Sequence, residues 1–383
     1  MIYLDNAATS WPKPDCVHEA MLRYMREVGA NPGRSGHRLA NQAERIRFDA
    51  REAVAELLGV SDPMRVIFTL NGTEAVNLAI RGLLKRGSHV VTTGMEHNAV
   101  MRPLRALEQQ GVAVSVVPCG SDGTMDPAAI DEYVRSETRL VVVNHASNVC
   151  GTVLAIREIG AIVRRRGIPF LVDAAQTAGS WPIDMAADNI DLLGFTGHKG
   201  LLGPSGTGGL AISERFDVGQ LPPLVCGGTG SRSEHEVQPD FLPDKYEAGT
   251  PNTAGLAGLA AGVRYVLDRG LSEIRTHEQA LTRLLIGGLG KIAGVRVFGT
   301  RDANRQTAAV SFVVDGQPVS ETALALDEQF AIMCRPGLHC APQAHRTLGT
   351  MPAGTVRLAA GPFNSQTDVE QALHAVGRLA GAR

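Results

Sequence analysis

Lys199 occupies an uncommon place for a lysine: it follows the apolar run Leu192-Leu193-Gly194-Phe195 and stands within Thr196-Gly197-His198-Lys199-Gly200. Most lysines lie on solvated surfaces. A lysine after a buried strand, in a glycine-rich loop beside a hydroxyl and an imidazole, suits chemistry that needs an amine nucleophilic near neutrality. Desolvation and neighbouring cations depress its pKa for that purpose. From this stretch alone a solvated loop lysine is an equally good reading. Phe170-Leu171-Val172-Asp173 adds a carboxylate at the C-terminal end of another apolar run, where open α/β sheets bind ligands.

An amine that condenses with a carbonyl and a buried carboxylate that keeps a pyridine nitrogen protonated are the two demands of pyridoxal 5'-phosphate (PLP). On this reading Lys199 carries the cofactor, Asp173 faces its ring nitrogen and Gln176 lies near its ring hydroxyl. Asn71-Gly72-Thr73-Glu74 opens a helix after a run ending near Phe68. Gly72 and Thr73 therefore offer free N–H groups and the positive end of a helix dipole to a phosphate. Thr196 and His198 add polar contacts from the lysine loop. His97, within Glu96-His97-Asn98, offers an imidazole to the ring face, and Asn148 follows the next strand. Singly, each is better explained as a cap or a core polar residue. Together they follow five strand-like runs that parallel connections would bring to one sheet edge.

The elements that must position these groups are legible as periodicity. Helical spacing runs from about residue 15 to 58, interrupted by the turn-rich loop 29–37. Short apolar runs at 65–68, 89–92, 113–117, 140–144, 170–172, 192–195 and 209–211 then alternate with helices, which predicts a mostly parallel α/β sheet covered on both faces. Beyond residue 252, helices at 253–268 and 274–289, strands at 295–298 and 308–314 and a helix at 321–328 predict a smaller α+β domain. The expected division is a large domain over 14–252 and a small one from 1–13 with 253–383.

With 383 residues, 44% hydrophobic, 20% charged and a net charge of −2, the chain shows no electrostatic bias toward nucleic acid or anionic membrane. A small polar or zwitterionic substrate suits that balance. The N-terminus lacks the pattern of a secretory signal and no apolar run reaches the ~20 residues of a membrane span, so the expected setting is cytoplasmic. Of six cysteines, five (Cys16, Cys119, Cys150, Cys226 and Cys334) read as buried apolar residues without metal or disulfide spacing.

The ordered set resembles the cysteine desulfurase and selenocysteine lyase family of class V, fold-type I PLP enzymes. It runs through Tyr3-Leu4-Asp5-Asn6-Ala7-Ala8-Thr9, Asn71-Gly72-Thr73-Glu74, Glu96-His97-Asn98 and Asp173-Ala174-Ala175-Gln176. It continues in Gly197-His198-Lys199, Glu247-Ala248-Gly249-Thr250, Arg335-Pro336-Gly337-Leu338-His339-Cys340-Ala341 and Val356-Arg357. The resemblance implies a seven-stranded, mostly parallel sheet, PLP bound covalently at Lys199, His97 stacked on the ring and Asn148 beside it. It also implies an obligate homodimer in which Thr250 reaches the neighbouring subunit's phosphate. Arg357 matches the arginine that grips the substrate carboxylate, with Arg335 and His37 near the pocket mouth, and Cys340 matches the cysteine that accepts sulfur.

Cys340 decides among the activities. An ordinary thiol is only a few per cent thiolate at pH 7, so cations beside it, Arg335 or a protonated His339, would matter. The expected reaction takes sulfur from L-cysteine, leaving L-alanine and a persulfide on Cys340, with His97 as proton donor and a protein as eventual sulfur acceptor. The alternatives are a selenocysteine lyase, another class V reaction such as C–S elimination or transamination with Cys340 incidental, and a sulfur-carrier scaffold without turnover.

Overall fold

A strand buried on both faces needs apolar side chains at every position rather than at alternate ones. The computed structural model, which describes residues 1–33 and 36–381, forms strands at each run of that kind. The first part of the chain contains β1 (Ile2–Tyr3), α1 (Asp15–Arg23), α2 (Arg38–Leu58), β2 (Val66–Thr69), α3 (Gly72–Leu83), β3 (His89–Thr93), α4 (Asn98–Glu108) and β4 (Ala113–Val117). There follow α5 (Ala129–Tyr133), β5 (Thr138–Asn144), α6 (Ile156–Arg165), β6 (Phe170–Asp173), β7 (Leu192–Thr196), β8 (Gly208–Ile212) and α7 (Thr253–Arg269). The chain closes with α8 (Leu271–Leu289), β9 (Val295–Phe298), β10 (Ala309–Val314), α9 (Val319–Phe330), β11 (Ile332–Met333), β12 (Arg335–Gly337), α10 (Pro342–Thr347), β13 (Thr355–Ala359) and α11 (Gln366–Gly381).

Seven strands form one sheet in the order β2-β8-β7-β6-β5-β3-β4, with β8 antiparallel to its neighbours β2 and β7 and the remaining pairs parallel. The C-terminal ends of β2, β3, β5, β6 and β7 consequently share one edge. Helices cover both faces: α2, α6 and α7 pack Val54, Ile159 and Leu259 on one, and α3 and α4 pack Ile80 and Leu104 on the other. Each such fully buried side chain contributes roughly 1.5–3 kcal/mol, which fixes the strand ends that carry the polar residues.

A second core joins α8, α9 and α11 to an antiparallel sheet of order β12-β13-β10-β9. Ile2 and Leu4 belong to this core, and β1 pairs with β11. Leu256, Leu259 and Val263 of α7 pack into the large sheet's core, while the core of the smaller unit draws on α8, α9 and α11. The alanine-rich spacing of α7 shows that it has an apolar face, but not which core accepts it.

Candidate active site

The lysine loop is built for close approach. Gly197 admits no side chain, because a Cβ there would meet Thr207 Oγ1 at 2.1 Å. The carbonyls of His198 and Lys199 accept hydrogen bonds from Ser10 N–H (2.9 Å) and Ser10 Oγ (3.0 Å), and Gly203 N–H bonds back to Gly197 O at 2.8 Å. Lys199 thereby faces a cavity of about 200 Å³ between the sheet edge and the smaller unit. Burial lowers its pKa to about 8. Arg357 and Arg335 push in the same direction while Asp173 and Cys340 oppose.

Asp173 lines the same cavity from the end of β6, with Oδ1 accepting the Ala175 N–H at 3.0 Å. Burial raises its pKa, opposed by that N–H and by Lys199. Beneath it, Glu96 is fully enclosed; its Oε1 accepts from Thr93 Oγ1 (2.6 Å) and Asn144 N–H (3.1 Å). Burial pushes the Glu96 pKa up to about 8. Gln176 is held by a bond from Nε2 to Ala7 O at 3.0 Å.

His97 caps α4, its Nδ1 accepting the Ala99 N–H at 3.0 Å. Burial first, then Lys199 and Arg335, lower its pKa to about 4, so the ring is neutral and carries its proton on Nε2. At the start of α3, Asn71 Oδ1 takes the Glu74 N–H (3.0 Å), while the N–H groups of Gly72 and Thr73 precede any intrahelical acceptor. Thr196 Oγ1, His198 Nδ1 and Asn148 Oδ1 line the cavity and are buried without partners.

The smaller unit supplies the opposite wall. Arg335 and Arg357 are directly paired across β12 and β13. Arg357 is 1% exposed; its Nη2 donates to Asp5 Oδ1 (2.6 Å) and its Nη1 to Asn148 O (2.8 Å), while Nε has no partner. Cys340 is exposed, with Arg335 Nη2 at 3.9 Å from its Sγ. His339 and Cys340 both adopt left-handed backbone (φ 48° and 58°). Their carbonyls are pinned by Asn148 Nδ2 (2.6 Å) and Asn98 N–H (2.8 Å). A protonated His339 does not occur: burial, followed by Arg357, His345 and Arg335, pushes its pKa down to about 2, leaving Arg335 as the cation beside the thiol.

Lys199, Asp173, Gln176, Gly72, Thr73, Thr196, His198, His97, Asn148, Arg335, Arg357 and Cys340 therefore converge on one cavity. His37 does not join them; it is an exposed cap of α2 whose Nδ1 accepts the Ala40 N–H, and Arg34 and Ser35 of its loop lie outside the described residues. Thr250 is exposed in a separate groove with Leu224 and Glu247, and Lys245 is buried with Nζ on Val218 O. Among the cysteines expected to be buried, Cys226 is exposed and Cys150 fully enclosed. Asp5 was legible only as part of a motif, because its partner Arg357 is 352 positions away.

The model of the class-V aminotransferase family matches residues 2–372. A "probable cysteine desulfurase" of Methanothermobacter thermautotrophicus is 37% identical, with 99% of this chain and 95% of that protein aligned. Another of the same name from Pyrococcus abyssi is 36% identical, over 99% of this chain and 94% of that protein. Among solved structures, the apo cysteine desulfurase of Thermococcus onnurineus superimposes with a TM-score of 0.92 at 34% identity, covering 100% of this chain and 95% of that one. The cysteine desulfurase CsdA of Escherichia coli gives 0.86 at 29% identity, covering 98% and 94%.

Proposed function

The chain belongs to the class-V aminotransferase family, and on that premise we propose that it is a cysteine desulfurase, converting L-cysteine to L-alanine and leaving the sulfur as a persulfide on Cys340. The observation that carries the reading is the placement of an accessible thiol, two arginines and a lysine of lowered pKa on one cavity. The aligned relatives are named for cysteine, and a selenocysteine lyase is not favoured.

The residues present fit PLP. Unpartnered Thr196 Oγ1 and His198 Nδ1, with the free N–H groups of Gly72 and Thr73, would hold the phosphate. Asp173, whose burial disfavours an uncompensated charge, would gain a partner in the ring nitrogen. Gln176 would lie near the ring hydroxyl, His97 over the ring and Asn148 beside it, with Lys199 as the covalent anchor. PLP, when bound, supplies an electron sink for charge developing at the substrate Cα.

The chain's own groups then have defined tasks. Arg357 holds the substrate carboxylate, using the Nε–H that the protein leaves free. Lys199 Nζ, with a pKa of about 8, can both take and return the Cα proton near neutrality. Arg335 Nη2 lies 3.9 Å from Cys340 Sγ. Cys340 Sγ attacks the substrate sulfur: an S–S bond forms, the C–S bond breaks, and the Cβ keeps the electron pair and takes a proton, for which His97 Nε2–H is the donor.

No helix among the described residues is long and apolar enough to cross a membrane. A cytoplasmic setting suits an enzyme whose six cysteines are all free. Thr250, exposed and remote from the chain's own cavity, fits a contact to the phosphate of a second copy. The active form is then a homodimer, and sedimentation of a fully active monomer would overturn that part. A sulfur-acceptor protein would approach at exposed Cys340.

The test is Cys340→Ala in the PLP-loaded protein. Incubated with L-cysteine and no reductant, wild type should gain one sulfur on the peptide containing Cys340, read by mass spectrometry. The variant should bind cysteine yet lose alanine formation by roughly 10²-fold or more. An unmodified peptide together with wild-type rates in the variant would replace persulfide chemistry with direct elimination.

A further inference from the structure

Three buried groups fix the ring of His339. Ser311 Oγ donates to Val149 O at 2.7 Å, and a carbonyl can only accept. Thr355 Oγ1 donates its single proton to Ser311 Oγ at 2.9 Å. Thr355 therefore has no proton left for His339. The 3.1 Å contact between His339 Nε2 and Thr355 Oγ1 must carry its hydrogen on the nitrogen. The chain of donors thus assigns His339 the Nε2–H tautomer and leaves Nδ1 as a bare lone pair.

Among the described residues no donor reaches that lone pair, although His339 is only 3% exposed. A buried acceptor left without a donor is destabilising, and His339 forms part of the cavity wall. A donor carried by a molecule that enters the cavity can complete it. His339 immediately precedes Cys340, so a sulfur that reaches Cys340 Sγ arrives beside this ring.

We infer that His339 is a positioning residue whose Nδ1 accepts a hydrogen bond from the thiol of the substrate, turning that sulfur toward Cys340. The inference rests on the desulfurase reading. The ring transfers no proton and stays neutral throughout. Arg335, Arg357 and His345, the charged or titratable groups around it, all oppose its protonation. Selection follows from the geometry: the acceptor favours a substrate that still carries S–H over one whose sulfur is alkylated.

The test combines a spectrum with a kinetic split in the PLP-loaded, full-length protein. In ¹⁵N-histidine-labelled protein, His339 should show a protonated Nε2 and an unprotonated Nδ1, unchanged from about pH 6 to about pH 9. Thr355→Val should mix the tautomers and Thr355→Ser should restore one. His339→Ala should raise KM for L-cysteine about tenfold with kcat changed less than about twofold. His339→Asn, whose side-chain oxygen can replace Nδ1 as acceptor, should recover most of the loss. Binding of S-methyl-L-cysteine, which has no S–H, should be the same in wild type and His339→Ala. A proton on Nδ1, a ring that titrates in this range, or equal weakening toward both ligands would overturn the inference. Failure of the desulfurase reading is separately visible, as wild type that forms no alanine from cysteine.

Discussion

Lys199 and Cys340 face one cavity from opposite kinds of scaffold. Lys199 follows a strand buried at every position, and its loop carbonyls are bonded in turn to the N-terminal segment. Cys340 is exposed and stands on two consecutive left-handed residues, neither of them glycine. That conformation costs roughly 1–3 kcal/mol per residue, and the bonds from Asn148 and Asn98 to the loop carbonyls hold it in place. The contrast separates two requirements. Proton transfer at carbon needs a dry, fixed amine, whereas a sulfur-accepting thiol must meet the substrate and then deliver sulfur outward.

The strongest way to break this division is Lys199→Ala. Alanine formation should fall by roughly 10³-fold or more, because among the described residues no other lysine lines the cavity to hold the cofactor covalently. PLP should then leave the protein on gel filtration. Wild-type turnover in this variant would remove the fixed side of the comparison altogether.

Asp173→Asn should act less severely, since the amide preserves the shape of the site but cannot hold a ring nitrogen protonated. We expect a folded protein that binds PLP weakly and forms alanine roughly 10²-fold more slowly. Fluorescence titration with PLP and single-turnover alanine formation read the two effects. Unchanged values would reduce Asp173 to a cap on the Ala175 N–H.

Most of the sheet-edge side was legible in the sequence because it is encoded locally. Apolar runs specify strands, and a polar residue at the end of a parallel strand has only one edge to occupy; the observed strands differ from the expected ones by one or two residues at their ends. The thiol side was legible only as residue types. Nothing near His339 in sequence reveals that Ser311 and Thr355 dictate its tautomer. Of the two cations weighed there, Arg335 or a protonated His339, burial and two arginines together disfavour the second. Asp5 and Arg357 form an ion pair that no local pattern announces. Local periodicity reports what an element is, while partners brought together by the fold decide what its side chains do.

The smallest expected effect concerns two carboxyls on the fixed side. Glu96, just past the end of β3, and Asp173, at the end of β6, are both buried with β5 between their strands, and Lys199 favours charge on Asp173 whereas Asp173 itself disfavours it on Glu96. With a folded pKa of about 8 against an ordinary 4.5, Glu96 stays protonated in the folded chain while the unfolded chain ionises. The folded state then binds more protons, so this group's contribution to stability is complete below the ordinary value and is lost as pH rises through about 8. One such proton can contribute at most ~1.4 kcal/mol per pH unit. Glu96→Gln removes the titration while keeping an oxygen that can accept from Thr93 and Asn144. Denaturant unfolding between about pH 5 and about pH 8 should show wild type losing stability relative to the variant as pH rises. The comparison isolates Glu96, because burial also raises Glu278 to about 8 and lowers His97, His198 and His345 to about 4, and those groups titrate in both proteins. Identical slopes in the two proteins would mean that Glu96 is ionised when folded.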